Sequence, residues 1–318
     1  MKAYLIRRTL NLIPTLLLVS LIVFAVVRIL PGDPVYTLAA VEDGNQIDEV
    51  LYERLVKEYG LDKPIAQQYF QWLFGVLRGD WGSSLFNRMP TFDQIIDRLG
   101  FTVQLSLLAW VTSILIGVPL GIVAALKRNK VPDVAATTFA MAGVALPNFW
   151  LGLLLIIVFG VWLGWVPVGG YTPFNVSPFG YIQTMILPTF TLGTALAATL
   201  QRQTRSAMLE VLNEDYVRTA RSKGLRPRTV IWVHALKNAL LPVVTISSLQ
   251  LGTLMGGTVI TESVFALPGI GRFIVDSIIE QDYNNFQMGM LVITLGVLIA
   301  NFVADILYGF LDPRIRFK

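Results

Sequence analysis

An all-helical membrane protein with six crossings is the fold this sequence predicts, and three observations predict it. Of 318 residues, 54% are hydrophobic and 14% are charged, against about 25% charged in an ordinary soluble domain. The apolar residues gather into long charge-free runs, and about 20 of them in a helix span the roughly 30 Å hydrocarbon layer. Lys and Arg collect in alternate connections between these runs, the asymmetry that places basic loops in the cytoplasm.

The first run, Thr9 to Val27, follows Lys2, Arg7 and Arg8. Its apolar core is longer than that of a secretory signal, and it ends in Arg28 and PGDP (Pro31 to Pro34) rather than small residues. Residues 1–32 are therefore expected to hold a retained tail and helix. Residues 33–98 carry more acidic than basic side chains and are expected outside the cell, as a small helical cap. Ile47, Leu51, Leu55, Val56 and Tyr59 recur at helical spacing before Gly60; Ile65, Tyr69, Trp72, Leu73 and Val76 do so after Pro64, stopping near RGDWGSS (Arg78 to Ser84).

Residues 99–318 form the core. Its runs are Leu99 to Leu126, Val134 to Gln201, Asn238 to Thr261 and Tyr283 to Ala304. The second is too long for one crossing, and its interruption at Gly164 to Tyr181, rich in Gly, Pro and aromatic residues, reads as an interfacial loop. KRNKVPD (Lys127 to Asp133), the segment 202–237 and the tail DPRIRFK are basic, whereas Gly164 to Tyr181 is uncharged and Glu262 to Asp282 is mostly acidic. Both termini are thus expected in the cytoplasm. Pro119, Pro147, Pro188 and Pro242 are expected to kink or end helices. Gly117 with Gly121, Gly160 with Gly164, and Gly252 with Gly256 have the spacing of close helix packing.

The loop 202–237 carries the densest local signals. Asn213 is placed to cap a short helix with Glu214 and Asp215 in its first turn and Arg221 and Lys223 in its last, matching the helix dipole. Glu214 and Arg218 have i,i+4 spacing. Tyr216, Val217 and Ala220 make a narrow apolar strip, Gly224 suits the left-handed position after the helix, and Pro227 suits the start of the next. The expected product is a helix-turn-helix elbow that contacts a partner.

Other polar residues in the runs are candidates by default. Asp33 and Glu262, at outer helix ends, could attract a positively charged group near an entrance or simply be solvated there. Gln104, Asn148 and Gln250 could line a polar path or bond between helices. Asp305, one turn after Asn301, is expected to pair with a basic group. His234 has no companion ligand for a metal and is assigned to the elbow. Without cysteine the chain has no disulfide or thiolate metal site. No phosphate-cradling G-x-x-x-x-G-K-[ST] loop, Ser-His-Asp set or H-E-x-x-H occurs, so no catalytic residues and no bound cofactor are expected. The net charge of +4 follows membrane orientation rather than nucleic-acid binding.

RTARSKG (Arg218 to Gly224) resembles the cytoplasmic loop signature of ABC importer permeases, a Glu-Ala-Ala triplet followed by three residues and a glycine. Thr219 and Ala220 take the Ala-Ala places and Gly224 the glycine, while Arg218 replaces the acidic residue and Lys237 stands where the general signature has proline. MLEVLNEDYVRTARSKGL with HALKNALLPVVT is similar to the version found in B-type subunits of the dipeptide, oligopeptide and nickel permease family. That resemblance extends along the chain through RRTLNLIPTLLLVSLIVF, PGDP, LDKPIAQQYFQWL, GDWGSS, LPNFW, LPGIGR and DILYGFLDPRIR.

The resemblance implies a permease subunit of the bacterial or archaeal inner membrane that passes dipeptides or oligopeptides inward, with nickel chelates as the alternative. It implies a second, C-type permease subunit, two cytoplasmic ATPases that bind ATP and Mg, and an external substrate-binding protein. Tyr216, Arg218, Thr219, Ala220, Lys223, Gly224 and Leu225 would then form the helix that couples to an ATPase. A proton-coupled carrier, the competing class, would want membrane-embedded carboxylates and inverted repeats.

Overall fold

The computed structural model describes residues 2–29, 35, 36, 39, 49–58 and 60–311; Asp33, the PGDP turn, Ile47, Tyr59 and the DPRIRFK tail lie outside them. Among the described residues the regular structure is helical, apart from one isolated bridge between Ser83 and Pro90. In chain order the helices are α1 (Lys2–Ile29), α2 (Glu49–Glu58), α3 (Ile65–Leu77), α4 (Thr91–Leu126), α5 (Val131–Ala145) and α6 (Asn148–Leu155), which runs on as a π segment, Ile156–Trp162. There follow α7 (Pro178–Val211), α8 (Asp215–Ser222), α9 (Pro227–Val264), α10 (Ile270–Ile279) and α11 (Tyr283–Leu311). The chain divides into two compact units, one built on Thr102–Pro268 and the residues from Gly296 onward, the other on Ile6–Phe101 and Gly269–Leu295.

Among the described residues four helices are long and apolar enough to cross a membrane: the Thr9–Ile29 part of α1, α4, α9, and the Tyr283–Ile306 part of α11. The pair α5 and α6, bent by 106°, makes a fifth if counted as one crossing. The bend has a local cause. Leu146 is extended (φ −85°, ψ 126°), as the steric demand of Pro147 on its predecessor requires. Pro119, Pro188 and Pro242 instead lie inside uninterrupted helices.

Helix α7, expected as a further crossing, is 34 residues long but does not reach the apolarity of the others. One side of it is packed. Thr184, Thr191, Thr194, Gln201 and Thr204 are buried along it, and the Thr191 hydroxyl donates to the Leu187 carbonyl at 2.8 Å. A threonine that returns its proton to its own helix is tolerable in a packed interior. Its threonines and Gln201 lie on the packed side, while Phe179, Ile182, Ile186 and Phe190 form an exposed apolar side.

Glycines set its closest seam. A Cβ at Gly117 of α4 would stand 2.6 Å from the Ala197 carbonyl, and one at Gly121 would overlap Thr204. The expected close packing at Gly117 and Gly121 is therefore present. Gly252 of α9 likewise accommodates Asn301 of α11. Gly160 and Gly164 do not make a helix seam: Gly160 faces Val168 of the following loop, and Gly164 is a turn residue at φ +62°.

In the other unit, α3 lies on α1. The Ser20 hydroxyl and Tyr69 hydroxyl are 2.8 Å apart, and the Phe24 ring meets Tyr69 edge-on at 5.4 Å. Asp282, buried ahead of α11, accepts from the Ser84 hydroxyl at 2.5 Å and from the Asn285 backbone N–H at 3.2 Å. This knot anchors the connection between α3 and α4.

Candidate functional site

The elbow is short, closed at the far end of its helix and wedged at its centre. Val217 is fully buried and Ala220 nearly so; both pack against Val230 and Val211. Burying a valine side chain contributes about 2 kcal/mol, enough to hold an eight-residue helix that would not persist alone. Tyr216 does not join this strip. Its ring is exposed, and its hydroxyl accepts from Asn238 Nδ2 at 2.8 Å, bracing α8 against α9.

The start of α8 differs from expectation. Glu214 occupies the N-cap position without a side-chain hydrogen bond, while the Asn213 amide donates back to the Leu209 carbonyl at 2.8 Å. Arg218 meets Asp215 at 3.4 Å, one helical turn away, rather than Glu214, and both partners are largely exposed. Such a pair contributes little. The end of α8 is better determined. Gly224 has φ +76°; its N–H donates to the Arg221 carbonyl at 3.0 Å, and the Leu225 N–H reaches the Ala220 carbonyl at 3.4 Å. These two bonds close a Schellman turn, which needs a left-handed residue at Gly224.

Pro227 opens the next helix at its first turn, where its missing N–H leaves no donor unpaired. That helix does not stop near Asn238: it passes through a π segment, Val230–Ala235, directly into the membrane-length part of α9. His234 lies in the π segment, and its carbonyl accepts from Asn238 Nδ2 at 3.4 Å. Residues 221–228 are all exposed, with Arg221, Lys223, Arg226 and Arg228 among them and Leu225, Trp232 and Val233 as exposed apolar groups. A rigid mount carrying basic and apolar side chains outward is suited to a protein partner.

A second feature at the base of the elbow escaped sequence reasoning. Arg205 and Asp133 form a two-pronged ion pair, Nε to Oδ1 at 2.6 Å and Nη2 to Oδ2 at 2.8 Å. The Asn129 N–H adds a bond to the same carboxylate at 2.9 Å. Asp133 is almost wholly buried and Arg205 is 29% exposed. The pair ties the connection before α5 to the last turns of α7, from which the elbow departs. Arg205 belongs to a helix, not to a loop, since α7 continues to Val211. The available signal was an acid in the first turn of α5 and a pair of arginines, Arg202 and Arg205, just after a long apolar run.

The remaining candidates separate by burial. Glu262 is fully buried, and its Oε1 accepts from the Thr102 hydroxyl at 2.7 Å. The solvated helix-end reading is therefore incorrect, because the end of α9 is packed rather than exposed. Gln250 is buried and donates to the Leu196 carbonyl of α7 at 3.2 Å, which is a bond between helices. Gln104 and Asn148 are half-buried, as is Asp305.

Comparison with known proteins follows the same lines. A family model described as "Binding-protein-dependent transport system inner membrane component" matches residues 117–317, and one for the N-terminal part of such components matches residues 1–106. The di/tripeptide transport system permease protein DppB of Pseudomonas aeruginosa is 42% identical, with 99% of both chains covered. The glutathione transport system permease protein GsiC of Escherichia coli K12 is 42% identical, and the dipeptide transport system permease protein DppB of the same strain is 40% identical, each over the full length of both chains. Among solved structures, the MetNI methionine ABC transporter in inward-facing conformations superposes with a TM-score of 0.58 at 16% identity, covering 70% of this chain and 98% of that one. That likeness is one of fold.

Proposed function

The chain belongs to the family of binding-protein-dependent transport system inner membrane components, and on that premise we propose that it is the permease subunit of an ATP-driven importer of dipeptides and short oligopeptides. The substrate class is supported by relatives named for dipeptides, di/tripeptides and glutathione, itself a peptide. In this reading the chain supplies half of the translocation path, and a C-type permease supplies the other half. An external binding protein delivers the substrate, and two cytoplasmic ATPases hold the ATP and Mg.

The observation that carries the proposal is the elbow. Val217 and Ala220 wedge α8 onto α9, Gly224 fixes its exit, and the exposed side chains from Tyr216 to Arg228 are free to meet an ATPase. A mount this firmly tied passes displacement of its partner to α7 and α9 instead of absorbing it. Coupling then consists of two arrangements of the membrane helices, each favoured by one state of the ATPase pair.

Six crossings fit this role: α1, α4, the bent α5–α6 pair, α7, α9 and α11, with the elbow and both termini in the cytoplasm. The burial of one side of α7 supports counting it despite its threonines. Gln104 and Asn148, being half-buried, are the candidates for the path.

Because the sequence lacks cysteine, one introduced at Lys223 or Leu225 is unique in this chain. In membrane vesicles containing the whole transport complex, a bifunctional crosslinker at either position should capture an ATPase subunit and stop peptide-driven hydrolysis. Vigorous peptide uptake with no such capture from any exposed elbow position would overturn the coupling role. Full coupling to hydrolysis with no uptake of any short peptide would overturn the substrate class instead.

A further inference from the structure

Helix α3 carries no charge across IAQQYFQWLFGVL, yet turns much of its apolar surface outward. Phe70, Phe74 and Leu77 share one face and are more than half exposed, and Ile65 is exposed at the first turn. A face of this kind is costly in water, whereas an uncharged amphipathic helix beside a membrane crossing places it in the lipid interface. The neighbouring wall is α1, whose most apolar stretch is only 22% buried. Between the two helices runs a groove of about 860 Å³ lined by Leu17, Leu21, Phe24, Ile65 and Phe70, with Arg28 as its one charged residue.

Among the described residues Arg28 is held by neutral partners. Its guanidinium lies 4.5 Å from the Phe24 ring centroid, and its Nε and Nη2 both donate to Gln68 Oε1, at 3.2 and 2.9 Å. Among the described residues no carboxylate pairs with it, and its bonds use Nε and Nη2. A cation pinned at the mouth of an apolar groove, in the last turn of a crossing helix, is complementary to an acyl chain that ends in a phosphate.

We propose that the groove between α1 and α3 binds a phospholipid, one acyl chain lying against Leu17, Leu21 and Phe70 and the phosphate on Arg28. The lipid belongs to the leaflet at the Ile29 end of α1. It would seat α3 in the interface.

The test uses the complete transport complex purified in mild detergent. Native mass spectrometry should find phospholipid retained by the wild type and by R28K, and reduced several-fold in R28Q. A photo-reactive phenylalanine analogue at Phe70, in an otherwise unaltered chain, should form its adduct with lipid. This arm does not depend on the Arg28 variants assembling. Adducts with a protein subunit, or with no molecule at all, would overturn the groove assignment. Equal lipid retention in R28Q would overturn the phosphate contact.

Discussion

Two short helices of this protein, α8 and α3, obey the same periodicity and present opposite faces to their surroundings. In α8 the apolar residues Val217 and Ala220 face inward, and the outer surface is polar and basic. In α3 the half-buried Tyr69 and Trp72 pack inward, and the outer surface carries Ile65, Phe70, Phe74 and Leu77 beside Gln67 and Gln71, with no charge. Amphipathicity alone therefore does not say what a helix meets. The exposed face does: charge and hydroxyls for a protein in water, large apolar side chains without charge for a bilayer.

This contrast can be broken most forcefully at Val217. V217D buries a carboxylate with no partner, a cost of several kcal/mol, so α8 should detach and ATPase subunits should no longer co-purify. F74D on the exposed face of α3 should leave the complex assembled in detergent. Equal assembly of both variants would show that α8 is not held by its buried face.

Next in size is the support beneath the elbow. D133A strands the partly buried Arg205 and should cost about 2 to 3 kcal/mol, below the range for a fully buried pair because Arg205 is 29% exposed. Thermal unfolding of the purified complex reads this loss, and the D133A/R205A double variant should recover part of it. Smaller again is G224V, about 1 to 2 kcal/mol, arising from the left-handed backbone alone, since a Cβ there meets no atom within 4 Å. G224N should be milder than G224V, and substrate-stimulated ATP hydrolysis should follow that order. The smallest effect belongs to D215N, which removes an exposed ion pair and should shift stability by no more than about 0.5 kcal/mol. A larger drop in hydrolysis without a change in melting temperature would place Arg218 or Asp215 against the partner.

The legible parts of the molecule are those governed by local rules. Gly224 and Pro227 were readable because a left-handed turn and a helix's first residue each restrict the choice of amino acid. The long charge-free runs marked the helices, including α7, because absence of charge is visible without knowing the packing. Tertiary facts were not legible. Nothing in TESVF shows that Glu262 folds against Thr102 rather than facing water. Nor does the spacing between Asp133 and Arg205 announce their contact. The misplaced N-cap is a finer failure: Asn213 and Glu214 are adjacent, and the cap went to the residue that the exit of α7 could leave extended, with ψ 148°.

The glycine seam between α4 and α7 has a mechanical consequence. With Gly117 and Gly121 pressed on the backbone of Ala197 and Gln201, the two helices cannot slide past each other or twist apart without opening a void or colliding main chain with main chain. They must turn as a single shaft. A rotation imposed on either helix would therefore be carried to the other through this contact.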